Sequence, residues 1–200
     1  LAPQNPDRLL VAHDGCASMS LNRGKSFSRV VLPIAQMYHV SVDDQVPYHV
    51  YGNRQDGWSY RGPSNSLQGY IPVGLWHGVG GCESGFAKPA PNDNTIVWSG
   101  CYAGGLERYD LKTGYAREVR VWPEAGDGWK PADMKDRWQW NFPLSFSTSV
   151  KHRVYVGSQF VHQSDDGGQS WQIISPDLTL NLKDHQQNSG GVAIDNLMTF

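Results

Sequence analysis

The chain has 200 residues, of which 39% are hydrophobic and 12% aromatic, with 22 glycines and 12 prolines. Its charged fraction is 18%, below the roughly 25% of an average globular domain, which favours short strands and tight turns over long surface helices. A formal net charge of -2 without a basic run gives no electrostatic reason to bind nucleic acid, and no apolar run is long enough for membrane insertion.

Short segments rich in β-branched and aromatic residues follow one another along the chain, each bounded by Gly, Pro, Asn or Asp. No segment of ten or more residues keeps a helical period, and residues 124–137 predict a surface loop with at most a short helix. The predicted fold class is therefore all-β. The strongest strand signals are at residues 9–12, 38–42, 48–51, 95–98, 153–156 and 171–174.

The strands recur as a repeat. Segments centred on Val11, Val50, Val97 and Val154 are separated by roughly 40–60 residues, close to the length of a four-stranded propeller blade. The spacing predicts a β-propeller with four-stranded antiparallel blades, about four of them in this segment. Because propellers close with 4–8 blades, and the chain shows neither an initiator Met nor a signal peptide, we expect an internal piece of a larger ring. The expected blades span residues 1–33, 34–75, 81–123 and 138–178.

The segment Ser-Asp-Asp-Gly-Gly-Gln-Ser-Trp at residues 164–171 matches the Asp-box pattern Ser-x-Asp-x-Gly-x-Thr-Trp. The glycines allow the positive φ of a tight hairpin, and the aspartate side chain can accept hydrogen bonds from the N–H groups of the turn. We expect a structural role in the outer hairpin of a blade, away from any ligand. The positions concerned are Ser164, Asp166, Gly168, Ser170 and Trp171.

A weaker copy of the same pattern occupies residues 20–27. Here Asn22 replaces the aspartate and Phe27 replaces the tryptophan, while Ser20 and Gly24 are retained. Both replacements keep the physical role, since an Asn side chain also accepts hydrogen bonds from a turn and Phe also fills an interface. Two boxes in register with a repeat make a chance match improbable.

Other segments extend the pattern beyond the two boxes, at residues 35–40, 47–52, 55–57, 77–85, 138–143 and 170–179. With the boxes, they resemble the BNR/Asp-box propellers of the sialidase and sortilin-like superfamily, and within it large bacterial sortilin-like proteins that carry glycosyl-hydrolase labels. The resemblance implies a secreted, periplasmic or cell-surface location and a ligand bound at the mouth of the propeller channel. A glycosyl-hydrolase label based on the fold alone says little about the site.

Candidate ligand-binding residues are polar groups in apolar, glycine-rich stretches. Gln55 and Asp56 follow a predicted strand, although Asp56-Gly57 also suits a hairpin turn. His77 and Glu83 flank a glycine-rich loop whose backbone can approach a ligand or a neighbouring blade closely, and Glu83 could equally cap loop N–H groups.

A third candidate is the run Arg137-Trp138-Gln139-Trp140-Asn141. Arg137, Trp138, Trp140 and Asn141 combine aromatic faces with hydrogen-bonding groups, an arrangement that suits sugar rings. The alternative is that the tryptophans pack between blades.

Glycoside hydrolysis needs two carboxylates about 5–10 Å apart, and Asp56 with Glu83 is the pair that the sequence offers as acid and base. A sialidase would need a cluster of three arginines, and nothing in the spacing of Arg54, Arg61 and Arg137 supports one. No motif predicts a metal or a cofactor.

Cys16, Cys82 and Cys101 lack zinc-ligand spacing and are too few for a disulfide scaffold. We favour three buried small apolar residues over one disulfide plus a free thiol.

Two functions remain open. One is a recognition module that binds protein, peptide or glycan, with further blades supplied by a longer chain or a partner chain. The alternative is a carbohydrate-active enzyme with Asp56 and Glu83 as its acid and base and Trp138 and Trp140 as a platform.

Overall fold

A computed structural model describes residues 2–13, 16–30, 34–91, 93–126 and 128–188, with the backbone alone described at residue 16. The chain divides into two compact units, residues 1–35 and 36–200. Within the described ranges, fifteen β-strands and three 3-10 turns form, and no α-helix does. The predicted all-β class is confirmed. No helix in these ranges has the length and apolar character to cross a bilayer.

Unit 1 holds one antiparallel sheet, called sheet 1, in which three strands follow one another as a meander. The strands are β1 (Leu9–His13), β2 (Cys16–Ser20) and β3 (Ser28–Val30). The sequence predicted a four-stranded blade here. The described residues of this unit supply three strands, so sheet 1 is the exception to the four-stranded pattern.

Unit 2 holds three antiparallel sheets of four strands each, and in every sheet the strands neighbour one another in chain order. This meander is the topology of propeller blades, so the predicted blade architecture is confirmed. Sheet 2 contains β4 (Met37–Val42), β5 (His49–Arg54), β6 (Ser59–Pro63) and β7 (His77–Gly78). Sheet 3 contains β8 (Ala87–Ala90), β9 (Asp93–Gly100), β10 (Leu106–Asp110) and β11 (Tyr115–Glu118). Sheet 4 contains β12 (Leu144–Phe146), β13 (Val154–Gly157), β14 (Val161–Ser164) and β15 (Gln172–Ile173).

The meander gives each sheet of unit 2 two different ends. At the hairpin end, a turn joins the first strand to the second and another joins the third to the fourth. At the linker end, a turn joins the second strand to the third, and the fourth strand leads into the next sheet. The linker end therefore comprises residues 55–58, 79–86, 101–105, 119–143 and 158–160, together with the segment after β15.

Apolar side chains fill the spaces between consecutive sheets of unit 2. One cluster joins sheet 3 to sheet 4 and includes Trp98, Leu106, Phe142 and Val156, all nearly inaccessible to solvent. A smaller cluster joins sheet 2 to sheet 3 around the fully buried Tyr51. Each large side chain buried in this way contributes about 1.5–3 kcal/mol, so face-to-face packing of the blades is the main stabilising interaction.

A buried amide joins sheet 2 to sheet 3. The Nδ2 group of Asn53, at the linker end of β5, donates to the carbonyl oxygens of Cys82 at 3.0 Å, Ser84 at 2.6 Å and Gly100 at 3.0 Å, and to Ser59 Oγ at 2.9 Å. The amide has two hydrogens, so it shares them among four acceptors. Asn53 therefore holds the loop after β7 against the end of β9.

The long connection from sheet 3 to sheet 4 has no strand, as predicted, and carries one 3-10 turn at Pro131–Asp133. It differs from the expected surface loop in its second half, where Met134, Asp136 and Arg137 are buried. The segment is polar in sequence, but Arg137 finds internal partners that compensate for its burial: its backbone N–H donates to Gln159 Oε1 at 2.7 Å and its side chain binds Asp177.

Cys82 and Cys101 form a disulfide with a Cα–Cα distance of 4.9 Å. The favoured prediction of three unpaired, buried cysteines is therefore wrong for these two residues. Both are only half-buried, because the bond spans two loops at the linker end instead of filling the core. The side chain of Cys16 lies outside the described residues.

Candidate functional site

The Asp-box of sheet 4 forms the turn between β14 and β15, at the hairpin end. The Oδ1 atom of Asp166 accepts hydrogen bonds from Ser164 Oγ at 2.9 Å, from Gln169 N at 2.9 Å and from Ser170 N at 3.0 Å. Its Oδ2 atom accepts from Ser170 Oγ at 2.6 Å. These donors, led by the Ser170 hydroxyl, hold the pKa of Asp166 well below its usual range. The carboxylate is thus fully used by its own turn.

The degenerate box in unit 1 adopts the same hydrogen-bond pattern. Asn22 Oδ1 accepts from Ser20 Oγ at 3.0 Å and from Ser26 N at 2.9 Å, and Asn22 Nδ2 donates to Ser26 Oγ at 2.8 Å. Gly24 N donates to Ser20 Oγ at 2.8 Å, as Gly168 N does to Ser164 Oγ at 2.9 Å.

The backbone of the two boxes also matches. Gly167 and Gly168 have φ values of 75° and 82°, and the equivalent Arg23 and Gly24 have 60° and 81°. In the second copy, an arginine thus takes up the left-handed conformation that glycine adopts freely.

A cluster of two carboxylates and an amide lies at the linker end of sheet 2. Gln55 Nε2 donates to Glu83 Oε2 and, at 3.2 Å, to Asp56 Oδ1. The backbone N–H of Asp56 donates to the same Glu83 oxygen at 3.1 Å. Tyr38 donates its hydroxyl hydrogen to Gln55 Oε1, which fixes the orientation of the amide. The carboxylates of Asp56 and Glu83 therefore lie within reach of one amide nitrogen.

The turn that carries Asp56 is a tight hairpin connection between β5 and β6. Asp56 has a φ of 56°, and Gly57 N donates to Arg54 O at 3.1 Å. Asp56-Gly57 therefore forms the predicted turn and also lies beside Glu83. The side chain of Asp56 is exposed. Trp58, in the same turn, is 62% exposed, so an uncovered aromatic ring follows directly after the two polar residues.

Three connections tie this cluster to the linker end of sheet 3 and to the segment entering sheet 4. Cys82, next to Glu83, is bonded to Cys101. Tyr102 stacks on Trp140 with ring centroids 5.0 Å apart and planes 16° from parallel. Gly85 N donates to Asn141 Oδ1 at 2.7 Å. The structure thus brings five of the predicted positions into one connected set of loops: Gln55, Asp56, Glu83, Trp140 and Asn141.

The other predicted site residues are buried or lie on a different strand. Arg137 is 6% exposed and binds Asp177 at 2.9 Å and Thr179 at 2.8 Å. Trp138 is equally buried and packs edge-on against Phe142 in the core. Arg137 therefore joins the segment before sheet 4 to the segment after it, and Trp138, which also stacks on His162, joins the preceding segment to sheet 4. His77 is exposed on β7, the outermost strand of sheet 2, and no described residue connects it to the carboxylates.

The three arginines considered for a sialidase site have separate partners. Arg61 donates to Tyr51 Oη at 3.0 Å and contacts His49 Nε2 at 3.0 Å. Arg54 lies over the ring of Tyr60, 5.3 Å from its centroid. These contacts do not assemble an arginine cluster. In the described part of the chain, no group of three His, Cys, Asp or Glu residues has the arrangement of a metal site.

A serine, a histidine and an aspartate also meet beneath the linker end of sheet 4. His162 Nε2 lies 2.7 Å from Ser158 Oγ and 3.9 Å from Asp136 Oδ1. Both partners face the same ring nitrogen, whereas a catalytic triad needs the carboxylate on the opposite nitrogen. Ser158 is also 1% exposed. Burial lowers the pKa of His162 to about 4, which keeps the imidazole neutral. We interpret this cluster as structural.

No family model and no curated protein matches the chain. Among solved structures, the chain is similar to the crystal structure of the Niastella koreensis GH74 enzyme, with 12% sequence identity and a TM-score of 0.44. The similarity covers 86% of this chain and 28% of that chain. At these values it transfers neither an activity nor site residues to the present chain.

Sequence reasoning missed four residues of the linker-end set: Tyr38, Asn53, Trp58 and Tyr102. Tyr102 stands in the Gly-rich turn after Cys101, where Ala103 and Gly104 have φ values of 52° and 74°. That turn chemistry was a usable signal. The roles of Tyr38 and Asn53 depend on contacts between distant segments, and nothing local in the sequence indicates them.

Proposed function

We propose that the linker end of unit 2 is a recognition surface for a glycan, and that the chain serves as a binding module of a propeller. The observation that carries the proposal is the cluster formed by Gln55, Asp56 and Glu83. One oxygen of each carboxylate accepts the Gln55 amide, while Asp56 Oδ2 and Glu83 Oε1 have no hydrogen-bond partner among the described residues. Those two oxygens are available to sugar hydroxyl groups in a preformed arrangement.

Aromatic rings beside the cluster support a glycan over a peptide or protein. Trp58 is exposed next to the carboxylates, and Trp140 is backed by Tyr102. Stacking fixes the Trp140 ring, which lowers the entropic cost of using its remaining surface for binding. Flat apolar surfaces next to acceptor oxygens match the apolar faces and hydroxyl edges of sugar rings.

The test is a glycan array probed with the purified chain and with matched variants. We expect binding to a limited set of glycans, with at least a tenfold loss in Trp140→Ala and in Asp56→Asn. Tyr70→Ala is the control, because Tyr70 is an exposed aromatic residue in the turn between β6 and β7, at the hairpin end. Binding that survives both site variants would refute the proposal. Competition by peptides but not by sugars would reassign the surface to a peptide ligand.

Glycoside hydrolysis is the second candidate function. Because the two carboxylates share one amide donor, they lie close together, as in retaining hydrolases, where the separation is about 5–5.5 Å. Glu83 Oε2 accepts two N–H groups, which suits a nucleophile or a stabilising carboxylate, and leaves the exposed Asp56 as acid and base. Release of reducing ends from polysaccharides that disappears in Glu83→Gln and Asp56→Asn would establish turnover. Its absence across a polysaccharide panel would leave binding alone.

The disulfide supports one class of compartment. A Cys82–Cys101 bond is stable in an oxidising environment, which supports a secreted, periplasmic or cell-surface location.

Further blades complete the ring in this proposal. The exposed apolar side chains Ile173 and Ile174 at the outer edge of sheet 4, and Leu10 and Phe27 in sheet 1, are consistent with additional packing partners.

A further inference from the structure

A cleft of about 630 Å³ lies at the hairpin end of unit 2, between sheets 3 and 4. It is separate from the linker end that holds Asp56 and Glu83. Its volume falls within the 300–1,000 Å³ typical of small-molecule sites. One wall is the loop between β12 and β13, and the Asp-box turn borders the opening. Sequence patterns predict only turns in this region.

The inner part of the cleft is apolar. Ile96, Trp98 and Phe146 line it, and Trp98 meets Phe146 edge to face with ring centroids 6.3 Å apart. Because these side chains belong to the core between the two sheets, the floor is rigid. Such a floor favours an apolar ring or branched chain over a flexible polar group.

All three carboxylates that line the cleft are already engaged. Asp165 binds Arg153 through two hydrogen bonds of 2.7 Å and 2.8 Å. Asp93 accepts from Thr95 N at 3.1 Å and from Thr95 Oγ1 at 2.6 Å. Asp166 is occupied by the turn of the Asp-box. Only Asp93 Oδ2 has no hydrogen-bond partner among the described residues, so a cationic ligand would find a single free carboxylate oxygen in this lining.

Two cationic side chains in the same lining have no hydrogen-bond partner among the described residues. The side chains of Arg108 and Lys151 make no hydrogen bond and no ion pair with any described residue, although Arg108 lies near enough to Asp93 to help Thr95 lower the pKa of that carboxyl. The guanidinium of Arg108 lies close to the Asp-box, since a Cβ atom built on Gly167 would be 3.8 Å from Arg108 Nε. An arginine with free donors beside an apolar floor is suited to a carboxylate attached to an apolar group.

We propose that this cleft binds a small amphipathic carboxylate, with the carboxylate on Arg108, the apolar part against Phe146 and Trp98, and Lys151 adding a second positive charge. The proposal does not depend on the glycan surface, because the two sites share no residues. It assigns a second ligand site to the edge between two blades.

The test uses phenylacetate as the probe, with phenylacetamide and acetate as matched compounds lacking the charge and the ring, respectively. We expect saturable binding of phenylacetate with a Kd on the order of 1–10 mM, as for a fragment of this size, and at least tenfold weaker binding of both matched compounds. Amide chemical-shift changes in a ¹H–¹⁵N NMR titration should centre on Gly167 and the loop between β12 and β13.

Two variants separate the charge from general effects. Arg108→Gln should weaken phenylacetate binding at least tenfold and Lys151→Gln several-fold. Lys130→Gln is the control, because Lys130 lies at the linker end and does not line the cleft. If Arg108→Gln does not fold, the proposal is tested by the affinity of Lys151→Gln for phenylacetate and by the position of the chemical-shift changes. Equal binding of the amide or of acetate, shifts centred elsewhere, or no effect of either site variant would overturn the proposal.

Discussion

The indole N–H of Trp171 donates a hydrogen bond to the backbone carbonyl of Val119, with an Nε1–O distance of 3.0 Å. Trp171 is the last residue of the Asp-box in sheet 4, whereas Val119 directly follows the last strand of sheet 3. Gly168 lies at the same interface, where an added Cβ atom would come within 2.6 Å of Val119 Cβ. The Asp-box therefore fixes its own turn and also joins neighbouring blades.

Replacing Trp171 by Phe should separate these two functions. The aromatic packing is largely kept, but the Val119 carbonyl loses its donor, which costs about 1 kcal/mol. We expect a corresponding fall in the urea midpoint with an unchanged m-value. Trp129→Phe, at a half-exposed position, is the control and should leave the midpoint unchanged. Equal midpoints for the two variants would contradict the role of the hydrogen bond.

The Asp-box carboxylate should tolerate an amide better than a methyl group. In Asp166→Asn, the side-chain oxygen can still accept from Gln169 N and Ser170 N, as Asn22 does from Ser26 N in unit 1. In Asp166→Ala these donors lose their acceptor. We expect the alanine variant to lower Tm by several degrees and the asparagine variant by clearly less, measured by circular dichroism. If the two variants melt alike, the turn does not depend on the acceptor.

Acid should destabilise the chain through His162. Because burial lowers the folded-state pKa of His162 to about 4, below the ordinary 6.5, the unfolded chain binds the proton first as the pH falls. This contribution to stability is complete above pH 6.5 and is lost between about pH 6.5 and pH 4, amounting to about 3 kcal/mol. Urea unfolding at a series of pH values measures it.

The variant His162→Gln serves as the reference, because it removes this titration. Burial raises the pKa of the neighbouring Asp136, so that carboxyl contributes a slope of the opposite sign between its ordinary value of 3.8 and its raised value. The difference between the wild-type and His162→Gln pH profiles isolates the histidine to a first approximation. A difference that stays flat from pH 6.5 to pH 4 would contradict the prediction.

Reduction of the Cys82–Cys101 bond should loosen the linker end. A disulfide that closes a loop of this size typically contributes 2–4 kcal/mol, so Cys82→Ser with Cys101→Ser should lower the free energy of unfolding by about that amount. The double variant should also show faster amide hydrogen exchange in residues 79–86 and 101–105. Wild-type protein treated with dithiothreitol should behave like the variant. Unchanged exchange in both loops would argue that the hydrogen bonds of these loops hold them without help from the disulfide.

Local sequence patterns were sufficient to predict the elements whose contacts join residues close in the chain. The turn of the Asp-box could be predicted, because its hydrogen bonds join residues within five positions and its positive φ values favour glycine. The Asn22 copy followed from the same chemistry. The meander of short strands was readable too, since each strand is bounded by turn residues.

Only the tertiary structure decided which polar residues meet. Glu83 and Gln55 are 28 positions apart, and their contact depends on the register of sheet 2 and on the path of the loop after β7. Trp138 and Trp140 are two residues apart, yet one is in the core and the other stacks on Tyr102 at the linker end. Cys82 and Cys101 gave no local sign of pairing.

The Asp-box shows where the two kinds of information divide. The sequence by itself determined its turn, because the energy of that turn comes from neighbouring backbone N–H groups and side chains. The tertiary structure decided what the turn rests on, because the partners of Trp171 and Gly168 belong to another sheet. Packing between sheets depends on side chains far apart in the chain, and a linear pattern does not record which of them come into contact.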